Sequence, residues 1–334
     1  MKDNQFILAG DIGGTKTTLA IFHPEAGPHR PVDKTTFPSR SYPSLQALIE
    51  EFLKGKQYQF GKAVFGVAGP VVDGQARVTN LSWTPDIQTL REALGVPVSL
   101  LNDLEAIAHA LPFLESKDLE TLNPGRPVQH APLAVIAPGT GLGEAFLLWS
   151  GTSYVPYPSE GGHADFAPTT TTELELLAYL LPRFGHVSYE QVCSGRGLPN
   201  LYAFLKDSGL FQEPGWLHEE LDLADDPTSV IVQSALEGKA EICTAALEQF
   251  VSILGSEAGN LALKVLATGG VYLGGGIPPR ILPFLRSSTF IQSFNRKGRF
   301  SGLLSNIPVH VICNPEVALI GAACHGLETV QHDV

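Results

Sequence analysis

The sequence predicts an α/β protein built on parallel or mixed sheets. Predicted strands alternate with predicted helices along the chain, and two segments repeat one pattern of strand, glycine-rich turn and strand. The first is Phe6–Phe22, whose turn lies around Gly13 and Gly14, and the second is Leu133–Trp149, whose turn spans Gly139–Gly143. The repetition predicts two related lobes with a cleft between them.

The other elements follow from hydrophobic periodicity and from breaker residues. Helices are predicted over 44–53, 86–94, 172–181 and 230–266, with a last helix over 318–330. Strands are predicted over 98–104 and 309–313, and a strand followed by a turn is predicted within 63–70 and within 270–277. A helix from Glu105 follows the strand over 98–104. Residues 120–131, which contain two prolines, are predicted to be a connection, and residues 209–227 a surface excursion.

Composition narrows the class of protein. A chain of 334 residues allows two domains, and a formal net charge of −12 argues against nucleic-acid and anionic-membrane partners. The four cysteines are far apart in the sequence and form neither a CxxC pair nor a zinc spacing, which favours reduced thiols. The run Phe6–Ala9 is too short for a signal-peptide core, and Leu133–Trp149 is interrupted by proline, glycines and an acid. We therefore expect a cytoplasmic protein without a membrane span.

The first hairpin turn is a candidate phosphate site. Glycines there leave backbone N–H groups able to point at phosphate oxygens, and Asp11 can hold a magnesium ion or its waters. The spacing does not match a P-loop. An ordinary glycine-rich hairpin turn without a ligand remains the alternative.

A second candidate lies where the strand over 98–104 gives way to a helix. A carboxylate at this place, Asp103, can accept the proton of an attacking hydroxyl, while the adjacent Asn102 can hold polar groups of that substrate. The alternative is that Asp103 only caps the following helix.

Three further features are read from the second half of the chain. Gly139 and Thr140 offer close backbone approach and a hydroxyl donor to a phosphate, unless this is simply another hairpin. Glu160 and His163 lie on one loop and can form paired hydrogen bonds with vicinal hydroxyls of a sugar. The alternatives are that the two side chains bind a metal ion together or that the segment is a plain surface turn. Glu190 has no chemistry readable from its neighbours.

Taken in order, these motifs resemble the bacterial glucokinases of the hexokinase/actin-like superfamily. The resemblance runs through nearly the full length: Gly10-Asp-Ile-Gly-Gly-Thr15, Gly66-Val-Ala-Gly-Pro70 with Thr79-Asn80, Leu101-Asn-Asp-Leu104, Gly139-Thr-Gly-Leu-Gly143, Glu160-Gly-Gly-His163, Ser188-Tyr-Glu190, Ser194-Gly-x-Gly197, Gly274-Gly-Gly-Ile277 and Lys297-Gly-Arg-Phe300. It implies the two-lobed actin-like/hexokinase (ribonuclease H-like) fold, with an active-site cleft between the lobes. Residues 1–115 would form the small α/β lobe, completed by the C-terminal helix over 316–334, and residues 116–315 the large lobe.

The resemblance also implies ATP-dependent phosphorylation of the 6-hydroxyl of glucose. Asp103 would be the general base, and Asn102, Asp103, Glu160, His163 and Glu190 would bind the sugar. ATP would contact Gly10, Asp11, Ile12, Gly13, Gly14, Thr15, Gly139 and Thr140 through its phosphates and Gly275 and Gly276 beside its nucleoside. Mg2+ would lie near Asp11 and be held through water, and relatives suggest a homodimer.

Departures and alternatives remain open on the sequence. Lys16 and Pro138 stand where relatives tend to carry other residues, and the clustered cysteines of the zinc-containing sugar-kinase branch do not occur. A kinase for mannose or fructose would use the same site. A glucose sensor without catalysis is a further alternative that the presence of Asp103 disfavours, and an actin-like or chaperone-like ATPase is disfavoured by the Glu160/His163 loop.

Overall fold

A computed structural model describes residues 5–78 and 81–332, so the motif residues Thr79 and Asn80 lie outside the described part of the chain. The chain divides into two compact units, Met1–Asp118 with Asn314–Val334, and Leu119–Cys313. The strands are β1 (Phe6–Ile12), β2 (Lys16–Phe22), β3 (Pro31–Pro38), β4 (Phe60–Val67), β5 (Val71–Val72), β6 (Gln75–Ala76), β7 (Val98–Asn102), β8 (Leu119–Asn123), β9 (Leu133–Pro138), β10 (Leu142–Trp149), β11 (Tyr154–Ser159), β12 (Gly270–Leu273) and β13 (Val309–Ile312). The helices are α1 (Leu45–Leu53), α2 (Ile87–Leu94), α3 (Asp103–Ala110), α4 (Thr171–Phe184), α5 (Leu198–Asp207), α6 (Gly215–Leu223), α7 (Pro227–Leu236), α8 (Glu241–Val265), α9 (Leu282–Leu285), α10 (Ser288–Asn295), α11 (Ser301–Leu304) and α12 (Val317–His332).

The first unit is built on a five-stranded sheet in the order β3-β2-β1-β4-β7. Strands β1, β2 and β3 form an antiparallel meander, whereas β4 and β7 run parallel to β1. Both faces of β1 are covered, because Leu8 belongs to a buried cluster with Leu48 of α1 and Ile7 to another with Leu319 of α12. Burial on both faces explains why β1 is continuously apolar from Phe6 to Ala9.

Helix α12 packs closely against α3. A Cβ atom at Gly321 of α12 would collide with the carbonyl oxygen of Ala106 in α3. Glycine is therefore required at this crossing, and the contact holds the helix that begins at Asp103 against the sheet.

The second unit repeats the strand order of the first. Its sheet runs β11-β10-β9-β12-β13-β8, with β9, β10 and β11 antiparallel and β12 and β13 parallel to β9. Only β8, antiparallel to β13 at the far edge, has no equivalent in the first sheet. The predicted α/β class and both predicted hairpins are confirmed.

Two predictions of local structure need correction. The helix predicted over 230–266 is two helices, α7 and α8, because Gly238 adopts a positive φ of 64° just after α7. Residues 120–131 are not only a connection, since β8 occupies their first part as an edge strand with little apolar signal.

The segment predicted as a surface excursion, 209–227, contains the short helix α6. This helix is anchored by the fully buried side chain of Leu217.

Within the described ranges 5–78 and 81–332, every helix lacks the combination of length and apolar character that a membrane crossing needs.

Candidate active site

The turn between β1 and β2 is held by a buried pair of hydroxyls as well as by the hairpin itself. The N–H of Gly13 donates to the carbonyl of Lys16 at 2.9 Å, and the hydroxyl of Ser39 donates to the carbonyl of Gly13 at 2.7 Å. Thr17 Oγ1 lies 2.9 Å from Ser39 Oγ, and both side chains are fully buried. Because the turn is fixed before any ligand binds, its remaining backbone groups are preorganised.

Two residues of this turn motif lie inside the sheet. A Cβ at Gly10 would stand 2.7 Å from Cδ1 of Phe65, so close packing of β1 requires glycine there. The side chain of Ile12 is fully buried in the core. Any contact of Ile12 with a phosphate would therefore be made by its backbone.

Asp11 lies in a group of acidic side chains. Burial, followed by the negative charges of Asp103 and Glu316, raises the pKa of its carboxyl to about 6. Carboxylates that repel one another in this way form a favourable place for a divalent cation. Among the described residues, no group of three or more His, Cys, Asp or Glu has the arrangement of a complete metal site. Asp11 thus fits a magnesium ion held largely by water and by substrate phosphates.

The cap of α3 is Asn102 and not Asp103. The Oδ1 atom of Asn102 accepts the N–H of Glu105 at 2.7 Å, which is the usual N-cap hydrogen bond. Asp103 is the first residue of the helix, and its Oδ1 accepts the N–H of Leu104 at 2.9 Å. The alternative that Asp103 only caps the helix is therefore wrong, because Asn102 is the cap. The strand predicted over 98–104 ends at Asn102.

The Asp103 carboxyl is suited to receive a proton. Its side chain is accessible to solvent, while surrounding protein disfavours the charged form and raises its pKa, against the lowering effect of the Leu104 N–H. The carboxylate is thus a stronger base than an ordinary aspartate, and the hydrogen bond from Leu104 fixes its orientation.

In the second unit, Glu190 contacts the second glycine-rich turn. Its Oε2 accepts the N–H of Leu142 at 3.0 Å and fills the space that a side chain at Gly141 would need. The N–H of Gly195 donates to the carbonyl of Gly139 at 2.8 Å and holds the other side of the turn. The segment that carries Glu190 is therefore joined to the predicted phosphate loop by direct hydrogen bonds.

Glu160 and His163 flank a short 3-10 turn, Gly161–His163. His163 Nε2 lies 3.9 Å from Glu160 Oε2, and both side chains are largely exposed. The turn is joined to the one that carries Glu190, because the N–H of Tyr189 donates to the carbonyl of Ala164 at 3.0 Å. All three predicted sugar ligands of this unit thus lie on two connected turns.

A cavity of about 850 Å³ opens beside the second glycine-rich turn. Two predicted ATP contacts, Thr140 and Gly276, line it, and Gly275 packs against the carbonyl of Pro138 with a positive φ of 81°. The volume falls in the range of sites for cofactors and small molecules.

Sequence reasoning missed most of the wall of this cavity. The additional lining residues are Gly195, Arg196, Pro199, Asp226, Pro227, Thr228, Ser229, Val232, Gln233, Leu236, Ile277, Arg280 and Ile281. The motif Ser194-Gly-x-Gly197 was a usable signal for one side. The opposite side is the start of α7, where Thr228 Oγ1 donates to the carbonyl of Gly195 at 2.5 Å. Because this contact joins residues 33 positions apart in the chain, no short-range sequence pattern indicates it.

The glucokinase family model matches residues 8–329. A glucokinase from a Nostoc species is 41% identical over 333 residues, covering 95% of this chain and 97% of that protein. The chain belongs to the glucokinase family.

The solved structures agree with this family assignment. A glucokinase crystal structure from an Antarctic psychrotroph has a TM-score of 0.85 at 34% identity and covers 97% of this chain and 99% of that one. A ROK family glucokinase from Streptomyces griseus, in complex with glucose and AMPPNP, has a TM-score of 0.60 at 19% identity and covers 95% and 98%. The latter likeness concerns the fold alone. Together with the observed topology, these matches confirm the actin-like/hexokinase fold class.

Proposed function

We propose that this protein is a glucokinase, which transfers the γ-phosphoryl group of ATP to the 6-hydroxyl of D-glucose. Membership of the family supports the activity. In this chain, the observation that best supports the activity is the cavity of about 850 Å³ beside Thr140 and Gly276. It lies in the unit that also contains Glu160, His163 and Glu190. A nucleotide site and a set of sugar ligands are then both provided by the second unit, and the general base by the first.

Asp103 accepts the proton of the 6-hydroxyl while the oxygen forms its bond to the γ-phosphorus and the bond to the bridging oxygen of ADP breaks. Its raised pKa favours this proton transfer, and the N–H of Leu104 keeps the carboxylate oriented. Asn102 has its Oδ1 engaged in the helix cap, which leaves its amide nitrogen to donate to a sugar oxygen.

Glu160, His163 and Glu190 bind sugar hydroxyls, with the carboxylates accepting and the imidazole pairing through a ring nitrogen. The two connected turns fix the spacing of these groups and hence which hydroxyl is presented for transfer. This is the basis on which we infer glucose as the sugar, with mannose or fructose as competing acceptors.

ATP is the inferred donor. Backbone groups of Gly10, Gly13, Gly14, Thr15 and Gly139, with the hydroxyl of Thr140, would contact its phosphates, and Gly276 its nucleoside. Asp11 would hold Mg2+, which when bound offsets negative charge on the phosphates. The neighbouring carboxylates that help to raise the pKa of Asp11 also make a cation favourable there, because its positive charge would offset their repulsion.

We also propose that the two compact units correspond to the small and large lobes predicted from the sequence at 115/116 and 315/316. A homodimer remains a prediction.

The test is phosphorylation of glucose, mannose, fructose, N-acetylglucosamine and N-acetylmannosamine with ATP and Mg2+, following ADP and sugar phosphate together. One ADP per glucose 6-phosphate with a strong preference for glucose is the expected result. Preference for another hexose would correct the acceptor, glucose binding without turnover would indicate a sensor, and sugar-independent ADP release would indicate an ATPase.

A further inference from the structure

A carboxyl group is buried directly beneath the turn that connects the predicted sugar ligands Glu160 and His163. Glu144 lies on β10 between Ile136 of β9 and Ser159 of β11, and only 1% of its surface is exposed. Its Oε2 fills the space that a side chain at Gly161 would occupy. Neither carboxyl oxygen forms a hydrogen bond with any described group. A charged carboxylate in such a place would be strongly disfavoured.

The charged and titratable groups around Glu144 favour its neutral form. Burial and, after it, the charge of Glu257 on α8 raise the pKa of Glu144 to about 8, against the lowering effect of Lys264 on α8. Cys193 belongs to the same buried group, since burial first, and then Glu257 and Glu144, raise the pKa of its thiol. The strand neighbours Ile136 and Ser159 do not titrate.

The same buried group supports the second sugar-binding turn. Glu257 is fully buried, and its carboxylate accepts hydrogen bonds from Asn260 Nδ2 at 2.8 Å and from Lys264 Nζ at 3.1 Å. Asn260 Nδ2 also donates to the hydroxyl of Tyr189 at 3.0 Å. Tyr189 precedes Glu190 directly. Glu257 thus has polar partners for its charge, whereas Glu144 has none among the described groups.

We propose that Glu144 is a positioning residue for the sugar, and that its neutral carboxyl supports the Gly161–His163 turn and so holds Glu160 and His163 in place. The inference rests on the proposed function, because it assigns Glu144 to the sugar side of that reaction. Ionisation would place an uncompensated charge against Gly161 and close to Glu257. The charge can be hydrated only if the turn moves away from β10, which displaces the groups that bind the sugar.

The consequence is an alkaline loss of sugar affinity without a matching loss of turnover. At saturating glucose the turn is held in its binding conformation, so kcat stays constant. The KM for glucose rises by about tenfold per pH unit once Glu144 is mainly ionised. The KM for ATP does not follow, since Glu144 has no role in the nucleotide cavity.

The experiment measures kcat and both KM values from pH 6.5 to 9.5 in the wild type and in Glu144→Gln, Glu144→Ala and Leu147→Ala. Glutamine keeps the size of the side chain and cannot ionise, so its KM for glucose is expected to stay low and flat with pH. Alanine removes the support and raises the KM for glucose by about tenfold at every pH. Leu147 is a fully buried residue of the same strand and serves as the matched control, with an unchanged pH profile.

An independent readout is the infrared carbonyl band of a protonated carboxylic acid, expected in the wild type at pH 7 and absent in Glu144→Gln. If Glu144→Gln shows the same alkaline rise in KM as the wild type, or the band is unchanged by the substitution, the inference is wrong even though the kinase is active. If the wild type phosphorylates no sugar, the proposed function itself fails, while the infrared band still reports on the protonation of Glu144.

Discussion

The backbone N–H of Leu142 donates a hydrogen bond of 3.0 Å to the Oε2 atom of Glu190. One carboxylate therefore contacts the glycine-rich turn assigned to phosphate and belongs to the set of groups assigned to the sugar. Because Glu190 is assigned to both, different substitutions of Glu190 should separate its effect on ATP binding from its effect on glucose binding.

Glu190→Ala should raise the KM for glucose and for ATP together. It removes a proposed sugar ligand and leaves the N–H of Leu142 without its acceptor, which costs about 1–3 kcal/mol. Glu190→Gln keeps an oxygen acceptor for Leu142 and should raise chiefly the KM for glucose. Equal effects of the two variants on the KM for ATP would show that the contact with Leu142 does not shape the turn.

Asp103→Asn should lower kcat by about 10²–10⁴-fold, the usual contribution of a general base. The asparagine oxygen can still accept the N–H of Leu104, so glucose affinity measured by calorimetry should change little. Turnover close to that of the wild type would remove Asp103 from the role of base.

His163→Ala should raise the KM for glucose with little change in the KM for ATP, because it removes one proposed sugar ligand and leaves the proposed nucleotide cavity intact. The matched control is His186→Ala. His186 is similarly exposed and pairs with Asp165 at 2.8 Å, but lies outside the proposed sugar ligands. Indistinguishable KM values for the two variants would contradict the assignment.

Gly276→Val should raise the KM for ATP. A Cβ at Gly276 meets no atom within 4 Å, so the fold should tolerate the side chain, which would then project toward the cavity that Gly276 lines. Gly215→Val is the control, since a Cβ there also meets open space but lies at the start of α6. If both variants keep the KM for ATP of the wild type, the nucleoside is not bound beside Gly276.

Acid should destabilise the protein through His325 of α12. Its Nδ1 lies 3.1 Å from Nε2 of His109 on α3, and burial first, then His109 and Lys62, lower the pKa of His325 to about 3. The folded chain keeps this group neutral, whereas the unfolded chain binds a proton below about pH 6.5. Stability from this group is therefore complete above pH 6.5 and is lost as the pH falls toward 3.

Urea unfolding at pH 7 and pH 5 measures this effect. Between pH 7 and pH 5, His325 lowers the free energy of unfolding of the wild type by about 2 kcal/mol. The free energy of unfolding of His325→Gln should therefore fall by about that much less over the same pH range. His186→Gln, at an exposed site, should keep the pH dependence of the wild type. A loss in His325→Gln as large as in the wild type would contradict the assignment.

The sequence could predict those parts of the site that are local. Asp11, Gly13 and Gly139 lie in hairpin turns that short-range patterns identify, and Asp103 lies at a strand-to-helix junction visible from apolar spacing. The same patterns predicted both hairpins and the α/β class.

The parts that could not be predicted from local patterns depend on contacts between distant segments. Glu190 has no informative neighbours because its partner Leu142 is 48 residues away. Ser39 supports the first turn from 26 residues away, and Thr228 reaches the cavity from α7. The edge strands β3, β8 and β11 were not predicted, since an edge strand buries little apolar surface and so carries a weak signal.

The discontinuity of the first unit has a consequence for synthesis. Helix α12, which covers the face of the sheet that contains Ile7, is translated only after the whole of the second unit. The second unit is continuous in the chain and can complete its core while translation proceeds, whereas the sheet around Asp11 keeps an uncovered apolar face until α12 leaves the ribosome. On a stalled ribosome, the first unit, which contains the proposed base Asp103, would thus be the one that needs a chaperone.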